Sequence, residues 1–179
     1  FAIIDVYSRK IVGWHLSMSA TVKAMKVAWD KALVGEGLLS RWGAPCFPLA
    51  LSDHGVQMAK KTAKQFFRDL GIKQLFARYQ TPEDNSWIES WFRILKYDWL
   101  RFKDYVSFSH LERLIGEFID VYNRFRYHGA IGYVTPEQKH LGEAGKILRD
   151  RLERRRLARL RRLEINRNSM NQIQWRLAA

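Results

Sequence analysis

Two acidic residues, Asp53 and Glu89, occupy positions where a carboxylate could take part in chemistry. Asp53 follows a short apolar segment at residues 47–51 that predicts a buried strand, and Gly55 marks a turn directly after it. A carboxylate at the end of a strand is held by the rigid sheet, while the loop beyond it leaves room for a substrate. By position alone, an aspartate that only caps the turn is the more common case.

Glu89 lies in a segment with helical periodicity that is predicted to start at residues 84–85 and to reach about residue 100. Glu89, Arg93 and Lys96 recur at i, i+4 and i+7, so an α-helix brings them to one face. The ordinary interpretation is a solvated face with one intrahelical ion pair. The functional interpretation is a metal-binding glutamate with basic residues beside it that hold phosphate groups. The opposite, apolar face is predicted to be core and consists of Trp87, Ile88, Trp91, Phe92 and Leu95.

The spacing of the two carboxylates favours the functional interpretation, because 35 residues separate Asp53 from Glu89. The sequence around them is Ser-Asp-His-Gly-Val-Gln at 52–57 and Asp-Asn-Ser-Trp-Ile-Glu-Ser at 84–90. These segments resemble the second and third carboxylate motifs in the D,D-35-E signature of DDE transposases and retroviral-type integrases. Two further segments resemble the insertion-sequence branch of that group. The first is Ile-Asp-Val-Tyr-Ser-Arg-Lys-Ile-Val-Gly-Trp at 4–14. The second is a motif formed by Tyr122, Asn123, Arg126, Tyr127, His128, Ile131, Gly132, Tyr133, Thr135 and Pro136.

The resemblance implies a catalytic site and a cofactor. Asp53 and Glu89 would be catalytic carboxylates that bind Mg²⁺, with Mn²⁺ as a substitute, because hard cations prefer oxygen ligands. In such enzymes paired metal ions hold the attacking and leaving oxygens during phosphodiester cleavage and strand transfer. The family has a further Asp on its first strand, which would precede Phe1. We expect Asp5 to be a turn residue instead, so the chain is expected to lack one ligand and to be inactive alone.

Several basic and polar residues near these motifs are candidate DNA contacts. The candidates are Gln57, Arg93, Lys96, Arg126, Arg155 and Arg159. Two interpretations remain open for the motif at 122–136. Its residues either bind the DNA backbone or attach a C-terminal helix to the core, and those concerned are Tyr122, Asn123, Arg126 and His128. We expect His54 to be a surface turn residue without a catalytic role, and the other histidines lack metal-ligand spacing.

The elements that would position these residues follow from periodicity, caps and turn residues. They are a hairpin over residues 1–17, a helix capped by Thr21 that reaches residue 36, a strand at 47–51, a helix at 59–70, a strand at 72–76, and helices over 107–126 and from Thr135 onward. This order predicts an α/β domain with a mixed sheet flanked by helices, and the resemblance implies that it is RNase H-like. We expect this catalytic core to span residues 1–140, without its first strand. A basic tail, helical or partly disordered, would span 141–179.

The composition indicates a polyanionic partner. The 179 residues include 31 Lys and Arg against 18 Asp and Glu, a net charge of +13, and 47% of them are apolar, enough to bury one core. The single cysteine excludes a disulfide within the chain, and no apolar run in the sequence approaches the length of a membrane span. We therefore expect a soluble, cytoplasmic protein that joins the nucleoid when it binds DNA.

Much of the charge is concentrated in the tail. Between Lys146 and Arg167 there are ten basic and three acidic residues, a net +7. A ragged apolar stripe accompanies them, formed by Leu148, Leu152, Leu157, Leu160 and Leu163. The segment is either a DNA-binding arm, an oligomerisation helix or both, and the simplest alternative is a solvated, partly disordered tail. We favour phosphate binding because the carboxylates are too few to neutralise the arginines.

The combined pattern predicts DNA transposition or integration by metal-dependent cleavage and strand transfer, in a homo-oligomer that holds element ends and target DNA. The first alternative is a non-catalytic nucleic-acid-binding remnant, whose activity would tolerate Asp53→Asn and Glu89→Gln. The second is a structural protein that assembles through its tail helix and whose self-association is insensitive to salt. A nuclease of the same fold is a further alternative, but the motif at 122–136 favours the transposase branch.

Overall fold

The chain begins with an antiparallel hairpin in the computed structural model, which describes residues 1–41, 48–78 and 81–177. Strands β1 (Ala2–Ile4) and β2 (Ile11–Trp14) pair with Ala2 opposite Trp14. Asp5 closes the turn between them by accepting hydrogen bonds from the backbone N–H groups of Tyr7, at 3.2 Å, and Ser8, at 3.1 Å. The predicted hairpin and the turn role of Asp5 are therefore confirmed.

A parallel strand pair follows in the second part of the chain. Strands β3 (Leu49–Ser52) and β4 (Lys73–Phe76) lie in register from Leu49 opposite Lys73 to Ser52 opposite Phe76. The predicted strand at 47–51 is thus present from Leu49, and its first residue, Phe47, lies outside the described residues. The crossover between the strands is helical, as parallel pairing requires.

Seven α-helices accompany the strands in the described part of the chain. They are α1 (Val22–Gly35), α2 (Val56–Ala59), α3 (Lys61–Asp69), α4 (Ser86–Arg93), α5 (Phe108–Arg124), α6 (Pro136–His140) and α7 (Ala144–Leu177). Local caps explain three helix starts, because the side chains of Thr21, Ser107 and Thr135 accept backbone N–H groups of the first turn. The helix predicted at 59–70 is instead α2 and α3, separated by the extended backbone of Lys60.

The mixed α/β architecture is confirmed, but the sheet differs from the expectation of one mixed sheet. Within the described residues, β1–β2 and β3–β4 form two separate two-stranded sheets, because no described strand pairs with both. Helix α1 lies between them and contacts β1 and β2 as well as α3. Gly13 of β2 allows this close packing, since a Cβ there would overlap the carbonyl oxygen of Ala28.

Two buried hydrophobic clusters correspond to the two sheets. The cluster around the hairpin contains Ile11, Trp91, Ile94, Leu95, Ile115, Phe118, Ile119 and Tyr122. The cluster around the parallel pair contains Met25, Leu33, Ala50, Met58, Ala63, Phe67 and Ile72. Helices α1 to α5 contribute apolar residues to these two clusters, and the polar faces of α3, α4 and α5 remain toward solvent.

The helix predicted to run to residue 100 changes geometry after α4. It continues as a π-helix over Ile94–Trp99 and a short 3₁₀ turn. A π-helix has more residues per turn than an α-helix, so the face through Glu89 and Arg93 turns before it reaches Lys96. Lys96 is exposed, and its ammonium group lies 5.9 Å from the ring centroid of Phe92, on the side predicted to be apolar.

Asn123 joins α5 to the hairpin. Its side-chain oxygen accepts the backbone N–H of Ile11 at 2.9 Å, and its side-chain nitrogen donates to the Ile11 carbonyl at 3.0 Å. Both groups are buried, so the amide replaces a neighbouring strand as the partner of the β2 edge. Beside it, Trp91 of α4 packs against Phe118 and Tyr122 of α5.

Helix α7 is attached to the rest of the protein only near its start, within the described residues. Ala144 and Ile147 pack against Ile131 and Val134, and Arg151 donates a hydrogen bond to the Gly132 carbonyl at 3.0 Å. The described side chains beyond Arg151 are exposed. At 1.5 Å per residue the 34-residue helix is about 50 Å long. Among the described helices, none combines the length and apolar character needed to cross a membrane.

Replacement of Asn123 by Ala is expected to lower the free energy of unfolding by about 2–4 kcal/mol, because it leaves a buried N–H and a buried carbonyl without partners. Urea denaturation followed by circular dichroism measures this loss. Asn166→Ala, an exposed position on α7, is the control and should change stability by less than about 0.5 kcal/mol. Equal effects of the two substitutions would contradict a bridging role for Asn123.

Candidate functional site

Asp53 lies immediately after β3 and is exposed. Its Oδ1 atom accepts the backbone N–H of Gly55 at 3.0 Å, which fulfils the turn-capping role considered from the sequence. A Cβ on Gly55 would stand 2.9 Å from this oxygen and 2.6 Å from Nε2 of Gln57, so glycine lets both side chains approach the turn. The second carboxylate oxygen has no hydrogen-bond partner in the described part of the chain, and it remains available to a ligand.

Glu89 lies in the first turn of α4, where the helix dipole favours negative charge. Its side chain is exposed and forms no hydrogen bond or ion pair with any described residue. Arg93, one turn later, is also exposed, and the two side chains do not form the intrahelical ion pair of the ordinary interpretation. Both are therefore free to meet an external partner.

A series of hydrogen bonds connects the end of β3 to the start of α4. The Ala77 N–H donates to the Ser52 carbonyl at 2.8 Å, and the His54 ring nitrogen Nε2 lies 2.7 Å from the Ala77 carbonyl oxygen. The next residue, Arg78, forms an ion pair with Asp84 at 2.9 Å. Asp84 lies in the 3₁₀ turn that leads directly into α4. The elements that carry Asp53 and Glu89 are thus joined, and His54 has a structural role in the joint.

The two carboxylates do not by themselves complete a metal site. Asp53 and Glu89 share no partner, and no group of three or more His, Cys, Asp or Glu side chains among the described residues is arranged to hold a metal ion. Their oxygens are of the type that Mg²⁺ prefers, and neither is neutralised by a described basic side chain. The donor chemistry fits a divalent cation, whereas the number of donors is too small.

Asp5 is engaged in a separate polar network. Its carboxylate accepts a hydrogen bond from Ser8 Oγ at 2.5 Å and lies 3.3 Å from Nδ1 of His140. The other ring nitrogen of His140, Nε2, lies 2.7 Å from the Glu36 carboxylate. Lys10 completes the network with an ion pair to Glu36 at 2.7 Å. The network joins the hairpin turn to the ends of α1 and α6. With both oxygens engaged, Asp5 is not available as a metal ligand.

The electrostatics of this network are consistent with a structural role. Burial raises the pKa of Asp5, but the hydrogen bonds from Ser8, Tyr7 and His140 outweigh it and hold the pKa below its ordinary value of 3.8. Burial likewise raises the pKa of Glu36, and the contacts with Lys10 and His140 leave it lowered. Ser8, His140 and Glu36 are hydrogen-bonded in the order of a hydrolytic triad, but Ser8 is fully buried and cannot meet a substrate.

The motif at 122–136 divides between core and surface. Tyr122 and Asn123 are buried, and the His128 ring packs edge-on against Tyr122 at 4.8 Å. Arg126 is exposed. Tyr122, Asn123 and His128 therefore pack within the core, where Asn123 bonds to the hairpin, whereas Arg126 faces solvent.

Two features of this region were not predicted from the sequence. Trp87, expected in the core, is 38% exposed, and the guanidinium of Arg9 lies 4.3 Å from its ring centroid. His140, dismissed for lack of metal-ligand spacing, holds Asp5 and Glu36 together. Neither contact has a sequence signal, because the partners are separated by 78 residues or more along the chain.

The remaining DNA-contact candidates occupy separate surfaces. Gln57 lies in the first turn of α2, close to Asp53 across Gly55, and is half-buried. Arg155 and Arg159 are exposed on α7, beyond its last described contact with the core. The structure therefore brings Gln57 and Asp53 together and keeps the two tail arginines on the projecting helix.

Comparison with known families identifies the carboxyl-terminal part of this site. The Integrase core domain family matches residues 70–136, a range that includes Glu89 and the motif at 122–136 and begins after Asp53. The resemblance to an integrase core that was inferred from the motifs is confirmed.

Three relatives illustrate the similarity over the whole site. An uncharacterised protein of insertion element IS136 from Agrobacterium fabrum is 27% identical over 139 residues, 76% of this chain and 70% of the relative. The transposase of insertion sequence element IS904 from Lactococcus lactis is 27% identical over 139 residues, 75% of this chain and 51% of its own length. A putative transposase for IS150 from Escherichia coli is 23% identical over 134 residues, 75% of this chain and 45% of its own. The similarity thus covers about half of each transposase.

Replacement of Asp5 by Asn is expected to lower the free energy of unfolding by about 1–2 kcal/mol at neutral pH, because charge-assisted hydrogen bonds are lost. A carboxyl group whose pKa is lowered by folding stabilises the protein above its unfolded pKa and loses this effect as the pH falls through the folded value. The difference between the two proteins should therefore shrink below about pH 4. Urea denaturation between pH 3 and pH 7 measures it.

The control for this substitution is Asp30→Asn, at an exposed position on α1. Its stability should follow that of the unsubstituted chain at every pH. A loss in Asp5→Asn that stays constant down to pH 3 would contradict the network as the source of the lowered pKa.

Proposed function

We propose that this chain, which contains a match to an integrase core domain, forms part of the catalytic core of a DDE transposase that cleaves and joins DNA. The observation that carries the proposal is the pair of exposed carboxylates, Asp53 and Glu89, neither neutralised by a described basic residue. They lie on elements joined through Ala77 and the Arg78–Asp84 ion pair. Their spacing, and relatives named as insertion-sequence transposases, support the same reaction class.

The fold proposed for this core is RNase H-like. The two sheets of the structure would then be halves of one mixed sheet, completed by a strand between β1 and β3. A parallel pair of two strands is seldom stable alone, which supports an additional strand. We propose that this strand precedes Phe1 in the full-length protein and carries the first catalytic Asp, since Asp5 is engaged with Ser8 and His140.

The proposed cofactor is Mg²⁺, with Mn²⁺ able to replace it. Asp53, Glu89 and the upstream Asp would hold it, and when bound the ions neutralise phosphate charge and activate the attacking oxygen. The protein side chains would position the DNA. Gln57 beside Asp53 and Arg93 one turn after Glu89 would bind phosphates near the carboxylates, whereas Lys96, on the Phe92 side of the helix, and Arg126 would contact the DNA elsewhere.

Helix α7 is proposed as a second DNA contact. At 3.6 residues per turn, Arg154, Arg155, Arg161 and Arg162 fall on one side of the helix, around Ala158. This side is exposed and its only nearby acidic residue is Asp150 at the edge. Arg159 lies on the other side, among the leucines, where it would bind phosphate or border a helix of a second subunit. A homo-oligomer that holds two DNA ends is part of the proposal, and the exposed leucines of α7 support it.

One observation favours the alternative of a non-catalytic DNA-binding remnant. The described residues contain no group of three ligands for a metal ion. A remnant would retain the basic surface and bind DNA without cleaving it, so the two proposals differ in metal-dependent activity and not in DNA affinity.

The catalytic proposal is tested with two polypeptides, this chain and one extended upstream by the preceding strand. Nicking and strand transfer are assayed on element-end DNA with Mg²⁺ or Mn²⁺. Activity is expected only in the extended polypeptide, and Asp53→Asn or Glu89→Gln should reduce it to the protein-free level. Glu117→Gln, an exposed carboxylate on α5, is the control and should remain active.

Two results would change the account of the catalytic site. Activity in the short chain that depends on Glu89 would mean that Asp5, despite its network, is the first ligand. Inactivity of both polypeptides, with DNA binding intact, would favour the remnant.

The role of α7 is tested by the salt dependence of DNA binding. The double substitution Arg155→Gln and Arg159→Gln should weaken binding to duplex DNA and flatten the slope of log Kd against log salt concentration by up to about 2, since each phosphate contact contributes roughly 0.9. Fluorescence anisotropy at several salt concentrations measures the slope. An unchanged slope would show that these arginines make no phosphate contact, and α7 would then be assigned to oligomerisation.

A further inference from the structure

Arg9 combines three unusual features. It lies in the hairpin turn with a φ of 68°, a left-handed conformation that non-glycine residues adopt mainly where the surroundings impose it. Its guanidinium stacks over Trp87 at 4.3 Å. Its Nε and Nη1 atoms are buried without any hydrogen-bond acceptor among the described residues. Buried arginine donors are normally paired with an acid or a carbonyl, so their isolation requires an explanation.

The neighbours of Arg9 share this lack of acceptors. Five buried side-chain nitrogens have no partner in the described part of the chain, and four of them belong to Arg9, Trp91 and His128. Trp91 and His128 both pack edge-on against Tyr122, with ring centroids 6.3 and 4.8 Å away. A concentration of unpaired nitrogens around one tyrosine is the pattern expected where an external acceptor binds.

The arginines give this cluster a positive charge. Burial lowers the pKa of His128, and the nearby charges of Arg126 and Arg9 lower it further. Burial raises the pKa of Tyr122 to about 12, although the same two arginines act in the opposite direction. Asp5 is the carboxylate that acts on Arg9, but its oxygens are occupied by Ser8, Tyr7 and His140. Among the described residues neither Arg9 nor Arg126 forms an ion pair, although Asp98 lines the same cavity as Arg126.

We propose that Arg9, Arg126 and His128 form a binding site for one phosphate group, with Trp87 as its wall. The proposal rests on the function proposed above, which identifies the phosphate as a phosphodiester of the bound DNA. Trp87 is 38% exposed and Arg126 is exposed, so these two side chains are where the site can be reached from solvent. Binding supplies an acceptor to nitrogens that otherwise have none.

The position of this site gives it a purpose within the core. Trp87 precedes Glu89 by two residues on the same helix, and Arg9 follows Asp5 in the turn of the β1–β2 hairpin. A phosphate bound here would contact the hairpin, α4 and the segment after α5 at the same time. One DNA strand would then be attached to all three elements. Because positions i and i+2 lie on opposite sides of a helix, the strand would pass α4 on the side away from Glu89 and would anchor the DNA to the core outside the carboxylate site.

The first test uses inorganic phosphate and this chain without metal ions. Phosphate should raise the melting temperature relative to chloride at equal ionic strength, by roughly 3–5 °C for each tenfold excess over Kd. Arg9→Asn should abolish the shift, since asparagine tolerates the left-handed backbone but lacks the charge. Lys103→Gln is the matched control, because Lys103 also lies 4.3 Å over a tryptophan, Trp99, outside the cluster; it should retain the shift.

The same variants distinguish a phosphate site from a purely structural stacking contact. In chloride, Arg9→Asn should be at least as stable as the unsubstituted chain, because it removes unpaired buried donors. A less stable Arg9→Asn variant whose melting temperature still responds to phosphate, or a chain without any phosphate response, would overturn the proposal.

The second test connects the site to DNA. In EDTA, the slope of log Kd against log salt for duplex DNA should decrease by about 0.9 in Arg9→Asn and remain unchanged in Lys103→Gln. Because neither test requires metal or cleavage, failure of catalysis leaves both readouts intact. A phosphate response with no change in the DNA slope would mean that the site binds free phosphate and would overturn its assignment to the DNA backbone.

Discussion

The rest of the structure depends on the pair of hydrogen bonds between the Asn123 side chain and the Ile11 backbone. They fix α5 against the hairpin, and Trp91 of α4 is buried between these two elements. The position of α4, and with it Glu89, is therefore determined by a contact outside the carboxylate region. A buried amide suits this purpose because it satisfies the donor and the acceptor of one strand residue at once.

The sequence predicted those elements whose signals are local. Thr21 and Thr135 are caps that act within one turn, and the helices they begin lie where expected. The arrangement of the sheet was not predicted, because strand order is decided by pairing between distant segments. The transition from α-helix to π-helix at Ile94 also has no local signature.

The candidate site shows the same division. The types and spacing of Asp53 and Glu89 sufficed to select them, because a carboxylate's chemistry is inherent in the residue. Arg9 and His140 were not selected, because their roles come from what the fold places around them. Arg9 stands out because two of its buried nitrogens have no acceptor in the described part of the chain, and His140 because two carboxylates from other segments contact it. Residues whose function lies in their surroundings are recognised only after folding.

The central claim is that Asp53 and Glu89 act together on one divalent cation, and paramagnetic broadening by Mn²⁺ tests it most directly. Mn²⁺ titrated into the isotope-labelled chain broadens the NMR signals of amides near its binding site, even when binding is weak. The account predicts that amides around Asp53 and around Glu89 broaden together at the lowest Mn²⁺ concentration, and that Glu89→Gln reduces both effects. Broadening around only one of them, or around Asp53 undiminished by Glu89→Gln, would contradict a shared site.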